Sequence, residues 1–429
     1  MRISSKIVIR LLILAIFVTA FIGIIGVARG YRLNIAKKAV TGTGILVATS
    51  APDAAKIYLN GTFYGVTNSN ISLSPGTYTV EIKKEGYSTW KKTLEITREL
   101  VVRADALLFP QNPSLSPLTS LGIVKAVYFE KAGKVILLSD SGENSATPAE
   151  LRKDGIYFMD NARRQLSIFN PLKLLVARAL LPTTATFQDS SIVISSDQKE
   201  MLFKIGDRSF LLSTEEETTD PFDVTANEKT VLDVWKTKGD KDLKKLLETF
   251  KKPFPAIAAD AFSIISFSPD DFKILYQAKK DVTIPIIVKD PLISVNQTPQ
   301  TRHIKAGHIY VYDKKEDRNY EISIPESIVT IPSSPIPPLS PSAPPYLPIS
   351  SSPILTSSLI WFPDSAHIIM NEGDKISIVD YDNANKQVVY SGPYEGGFVS
   401  VTNDGKLLIL ANLNPQTNKL PDVYAVGIR

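Results

Sequence analysis

The chain has 429 residues, 44% of them hydrophobic, which is enough apolar material for more than one core and too much for a disordered protein. Cysteine is absent, so disulfides, thiolate metal sites and thiol catalysis are excluded, and the redox compartment stays open. The formal charge of +4 is uneven: residues 1–38 hold seven basic residues and no acid, leaving −3 on the remainder, a balance that argues against nucleic acid as a partner.

In chain order, a basic tail at 1–10 precedes "LLILAIFVTAFIGIIGVA" at 11–28, an uncharged run about as long as a hydrocarbon core of roughly 30 Å requires. The exit "GVARGYR" is a poor cleavage site, so the run is expected to stay as a single transmembrane helix, with a juxtamembrane linker at 29–42. Basic residues flank it almost evenly, and the positive-inside count does not orient it. The short amino-terminal tail and the large remainder favour a cytoplasmic tail and an extracytoplasmic body.

Residues 43–109 read as short strands, "GILVATS", "AKIYLNGTFYG", "GTYTVEIKKEGY" and "WKKTLEITRELVV", separated by Pro52, Asn60-Gly61, Pro75-Gly76 and Gly86. Tyr78, Val80 and Ile82 alternate with Thr77, Thr79 and Glu81, and Asn60-Gly61 is a hairpin turn because both residues tolerate positive φ. The order of a glycine-led strand, Pro52-Asp53-Ala54-Ala55, "KIYLNG", "YG", "SPGTYTVEI" and "EGY" resembles the PEGA domain, a small β-sandwich. That resemblance implies an envelope or surface setting and no catalytic residue. Tyr64, Tyr87 and Trp90 are the candidate ligand-binding aromatics, able to stack on a sugar ring if exposed; Trp90 shares parity with Leu94 and Ile96, and Tyr87 and Trp90 also suit a core.

A Pro- and Ser-rich connector at 110–120 precedes a degenerate repeat running from 121 to 429. One element sets a polar turn before a strand: "SSDQKEMLFK", "FSPDDFKILYQ", "FPDSAHIIMN", "TNDGKLLILA" and, more weakly, "EKAGKVILLS". The other ends a strand on Asp160, Asp313 or Asp380 before a hairpin. Three or four antiparallel strands per repeat suggest propeller blades, and the turns resemble those of the Tol-type (TolB-like) periplasmic propellers. Five repeats are visible, and an insert at 226–260, with Leu243, Leu246, Leu247 and Phe250 on one helical face, leaves room for a sixth. A second, proline-dense insert at 325–355 suits an extended loop. The final repeat lacks its outermost strand after "DVYAVGIR", so the connector is expected to supply an edge strand beside 422–428.

The fold class expected is therefore all-β: an anchor helix, a PEGA-type sandwich and a propeller of five to six blades. No G-x-S-x-G elbow, P-loop or dinucleotide fingerprint occurs. His303 and His308 are five apart and share no face, while His367 in a blade turn reads as solvated, so no metal or cofactor is expected. "DYDNANK" at 380–386 lacks the glycine and distal glutamate of a calcium loop and reads as a hairpin. The function expected is non-enzymatic binding of an envelope protein or cell-wall polysaccharide. The alternatives are a hydrolase with a degenerate site and a spacer without a ligand.

Overall fold

The computed structural model describes residues 5–28, 31–34, 39–129, 134–140, 154–160, 172–289, 295–325, 328, 358–416 and 419–429. Most of the 325–355 insert, the turn at 130–133 and the hairpin after Asp160 lie outside them. The chain packs as two units, Met1–Gln111 with Asp290–Gln297, and Asn112–Lys289 with Thr298–Arg429.

The first unit opens with helix α1, Ser5–Ala28, whose side chains are described from 9 to 25. Among the described residues no helix is long and apolar enough to cross a membrane. The stretch expected as a linker holds two short antiparallel strands, Tyr31–Asn34 and Ala39–Gly42. Beyond it, two sheets enclose one core. The three-stranded sheet orders Ser69–Leu73, Gly44–Ala51 and Val101–Leu107; the four-stranded sheet orders Thr62–Val66, Lys56–Leu59, Gly76–Lys83 and Trp90–Ile96. Period-two alternation decides which residues enter: Leu46, Ala48, Ile57, Val80, Ile82, Leu94, Ile96 and Ala104 are all buried between the sheets. Asn60 (φ 50°) and Gly61 (φ 81°) form the two-residue turn, with Leu59 facing Thr62 across it. The stretch "WKKTLEITRELVV" is two strands in different sheets, because the polar turn at 97–100 carries the chain from one sheet to the other.

The second unit contains five four-stranded antiparallel sheets among the described residues. The first four run in chain order, beginning with strands Ile123–Tyr128, Ser191–Ile194, Phe262–Phe267 and Leu359–Trp361. The fifth orders Val399–Val401, Leu407–Ala411 and Asp422–Gly427, and then takes Ser114–Pro117 as its outer strand. The expected closure is therefore present, with Ser114 opposite Gly427 and Pro117 opposite Tyr424. Pro117, which has no N–H to donate, is tolerated because the strand lies at a sheet edge. At Gly427 a Cβ would meet Ser114 Oγ, so any larger residue there obliges that side chain to rotate. Ile123, Val135, Leu137 and Tyr157 of the first sheet share a core with Leu408, Leu410 and Val423 of the fifth, which closes the ring. Sequential four-stranded sheets joined last to first have the connectivity of a β-propeller. The sixth repeat allowed for in 226–260 is not a sheet: the segment forms helices α2, Glu228–Glu248, and α3, Phe254–Ala261.

Two polar devices recur from sheet to sheet. In the turn after the first strand, a hydroxyl bonds an Asp two residues on, as in Ser195–Asp197 (2.7 Å), Ser268–Asp270 (2.6 Å) and Thr402–Asp404. Between the second and third strands, a cation faces the strand-ending Asp: Lys134 opposite Asp160, Lys273 opposite Asp313 and His367 opposite Asp380. His367 is thus not solvated. It is buried, with Nδ1 2.7 Å from Asp364 Oδ2 and Nε2 3.3 Å from Asp380 Oδ1. Burial alone would depress its pKa, but the hydrogen bonds to Asp364 and Asp380 outweigh it and push the imidazole up to about 9.

Asp422 secures the closing strand. Its Oδ1 accepts from Thr119 Oγ1 (2.9 Å), Leu121 N (2.8 Å) and Gly122 N (3.1 Å), all on the connector side. Asp422→Ala strands these donors and is expected to cost about 3 kcal/mol, measured by urea unfolding of the full chain. His367 gives a pH signature. Because folding raises its pKa from 6.5 to about 9, its stabilisation is complete below 6.5 and is lost as the pH rises through about 9. The contribution is on the order of 3 kcal/mol, and His367→Gln is expected to flatten unfolding free energy across that window.

Candidate functional site

The first strands of three successive sheets end at one place. Tyr128 and Phe129, then Val193 to Ser196, then Ser266 and Phe267 all line a cleft of about 420 Å³. The cleft therefore lies where the ends of these three first strands and the turns that follow them meet. Its remaining wall is α2, through Leu232, Trp235, Gly239, Leu243 and Leu246. Spacings of three and four put these residues on one helical stripe.

That stripe has two further attachments. Leu232 and Trp235 pack on Leu202 and Val224 beside the second sheet, while Leu247 and Phe250 pack into the third-sheet core with Tyr276 and Tyr312. Phe250 stacks on Phe254 (centroids 5.1 Å apart), and Phe254 stacks on Tyr312 (3.9 Å). Pro253 ends the run and begins α3. The helix is also fastened by charge. At its start, Glu228 accepts from Ser209 Oγ (2.7 Å) and pairs with Lys204 (3.1 Å), a carboxylate that suits the positive end of the helix. Midway, Lys238 Nζ lies 2.7 Å from Asp197 Oδ2 in the second-sheet turn. Hydrogen bonds from Lys238 and then Ser195 hold the Asp197 carboxyl well below its ordinary range. Near its end, Lys314 donates to Thr249 Oγ1 (3.0 Å).

The cleft is mostly apolar, with Lys236, Asp242 and Asp271 among its charged lining residues. Deeper, Ser266 is 5% exposed, and its Oγ has no hydrogen-bond partner among the described residues. A bulge interrupts the strand here: the register slips between Ile264 and Ser266, and the intervening Ile265 enters the core shared with the fourth sheet.

The aromatics picked from the sequence are not brought together. Tyr64 lies on the edge strand Thr62–Val66 and is 52% exposed, beside exposed Phe63 and Val66. Tyr87 is half-buried against the sandwich core, and Trp90, 5% exposed, is part of that core and cannot present its face to a sugar. Phe63 was missed, although "TFYG" after a two-residue turn marks an edge strand. The cleft was missed because its walls come from positions 128 to 271, with no local motif; the stripe on 240–252 was the one visible trace. The histidines stay apart, His303 bonding Thr283 and His308 bonding Glu321.

These placements separate the two aromatic roles. Trp90→Ala is expected to cost about 3 to 5 kcal/mol in the sandwich, as a cavity does. Tyr64→Ser is expected to change stability by no more than about 0.5 kcal/mol. Amide exchange across 43–107 in the full chain checks both.

No curated protein matches the chain. Among solved structures it is similar to the TolB-designated protein of Agrobacterium tumefaciens, at 11% identity over 67% of this chain and 70% of that one, with a TM-score of 0.20. It is similar to a luciferin-regenerating enzyme at 9% identity, covering 73% and 80%, with a TM-score of 0.21. It is also similar to the Dos1 propeller at 9% identity, covering 92% and 80%, with a TM-score of 0.19. Values this low carry no weight for the fold, which rests on the strand order. Residues 43–112 match the PEGA family, and this part of the chain is a PEGA domain.

Proposed function

We propose that the chain is a non-enzymatic binding and scaffold protein of the cell envelope, anchored by α1, with residues 1–10 cytoplasmic and the rest outside. The cleft carries the binding reading. It has the size and the apolar, aromatic lining of a ligand site. Its hydroxyls are poorly placed for nucleophilic catalysis: no histidine lines it, and Ser195 donates to Asp197, a carboxylate whose depressed pKa makes it a weak base.

Anchoring draws support from the helix. Within α1 the uncharged run 11–28 amounts to about 27 Å of helix, close to the thickness of a hydrocarbon core. Phe17, Phe21 and Ile24 are more than 60% exposed on it, surface that lipid accommodates better than water. Its apolar run continues in sequence past the last described side chain to Ala28. The PEGA domain supports the envelope setting and a protein or cell-wall polysaccharide as partner.

Protease added to spheroplasts should digest the body, and crosslinking pull-downs should enrich either cell-wall material or one membrane protein. Full protection from protease would overturn the topology. Enrichment of neither material would favour a spacer, and turnover of ester, peptide or glycoside substrates that survives repurification would favour a hydrolase.

A further inference from the structure

The outer face of the four-stranded PEGA sheet carries side chains that the sandwich core does not need. We propose that this face binds an acidic polysaccharide, with sugar rings against Tyr58 and Phe63 and acidic groups on Lys56, Lys83 and Lys91. The proposal gives the polysaccharide named above a surface of its own, made of other residues than the cleft.

Alternation sets the face. Ile57, Leu59, Val80, Ile82 and Leu94 point into the core, so the residues between them on these strands point out. Cross-strand register then lays out two rows, with Phe63, Tyr58, Glu81 and Lys91 in one and Lys56 and Lys83 in the next. The rings of Tyr58 and Phe63 meet edge to face, centroids 5.8 Å apart, and Phe63 is 56% exposed. Lys83 Nζ stands 5.1 Å from the centre of the Tyr58 ring. Lys83 and Lys91 both reach Glu81, at 2.5 and 2.9 Å, yet their side chains stay 44% and 59% exposed.

Each part answers one feature of a sugar acid. The C–H face of a sugar ring is apolar and packs on an aromatic plane. The Glu81 carboxylate accepts hydrogen bonds, which ring hydroxyls donate. Three lysines around one acid leave these two rows positive, on a body whose formal charge is −3, and that local excess attracts acidic groups. The sheet's other outward acid, Glu95, lies beyond the Thr79–Thr93 pair.

Other occupants fit less well. The centres of protein interfaces are enriched in aromatics and depleted of Lys and Glu, whereas here Glu81 and its two lysines sit beside the aromatic pair. A neutral glycan would cover the lysines without a counter-charge. The side chains stand on paired strands, so the face is largely preformed and the ligand pays little to order it.

Full-length protein in detergent should bind immobilised polygalacturonate, which bears carboxylates, or phosphomannan, which bears phosphates; the tighter of the two identifies the acid that the lysines read. Neutral dextran should bind about tenfold more weakly than that polymer. Phe63→Ala should weaken binding about fivefold, the loss of one stacking contact. Lys83→Gln combined with Lys91→Gln should weaken it about tenfold and flatten its dependence on salt. Arg103→Gln, which removes an exposed charge from the three-stranded sheet, should leave it unchanged. Every side chain replaced is exposed, so the variants are expected to keep the wild-type melting transition, which checks that they fold.

Binding to neither acidic polymer, or equal binding to dextran, would overturn the proposal. So would unchanged affinity in Phe63→Ala or in the double lysine variant, an equal loss in Arg103→Gln, or binding to anionic phospholipid vesicles without binding to either polymer. Protection of the body from protease in spheroplasts, with these affinities intact, would sink the envelope reading and leave this site standing. Cell-wall capture that survives Phe63→Ala and the lysine variant would do the reverse.

Discussion

A ring of sheets has no natural end, and here it depends on the four residues Ser114–Pro117 pairing with the strand Asp422–Gly427. Without that pairing the fifth sheet would expose an unpaired edge, and the core it shares with the first sheet would lose its outer support. The pairing also joins the two ends of the unit in sequence, some three hundred positions apart, so it carries a large loop-closure cost. Asp422 helps to offset that cost by collecting three donors from the connector into one buried carboxylate.

The cleft inherits its form from the same ring. First and second sheets share a core directly, as do third and fourth, and fifth and first. At the second and third sheets, α2 contributes to the packing on both, through Leu232 and Trp235 on one side and Leu247 and Phe250 on the other. Between its stripe of Leu, Trp and Gly and the ends of the first strands a cavity remains. The bulge at Ile264–Ser266 sets Ser266 beside that space. Scaffold and candidate site are therefore parts of one construction: the insert that interrupts the repeats also makes the cavity.

The polar devices of the ring serve the fold rather than chemistry. Each hydroxyl–aspartate turn satisfies backbone groups where the chain reverses, as when Lys273 N and Lys406 N donate to Ser268 Oγ and Thr402 Oγ1. Lys273 and His367 each put a cation beside a buried strand-ending carboxylate, Asp313 and Asp380. His367 follows that rule, which is why it is charged in a place where an isolated histidine would be neutral.

Much of the fold was legible because it is written locally. Alternation in "GTYTVEI" placed Val80 and Ile82 inside, Asn60-Gly61 marked a turn, and recurring polar turns marked the starts of second strands. Counting strands in the last repeat even located its missing partner, since an edge must be covered by something and one stretch was free to do it. Other features are set by which distant residues become neighbours. His367 looked solvated because Asp380 meets it only through cross-strand register. Trp90 and Tyr64 looked alike as aromatics near turns, and only sheet packing put one inside and the other at an edge. The cleft needed three strand ends and one helix to converge, and local periodicity states which face of an element is apolar without stating what that face will meet.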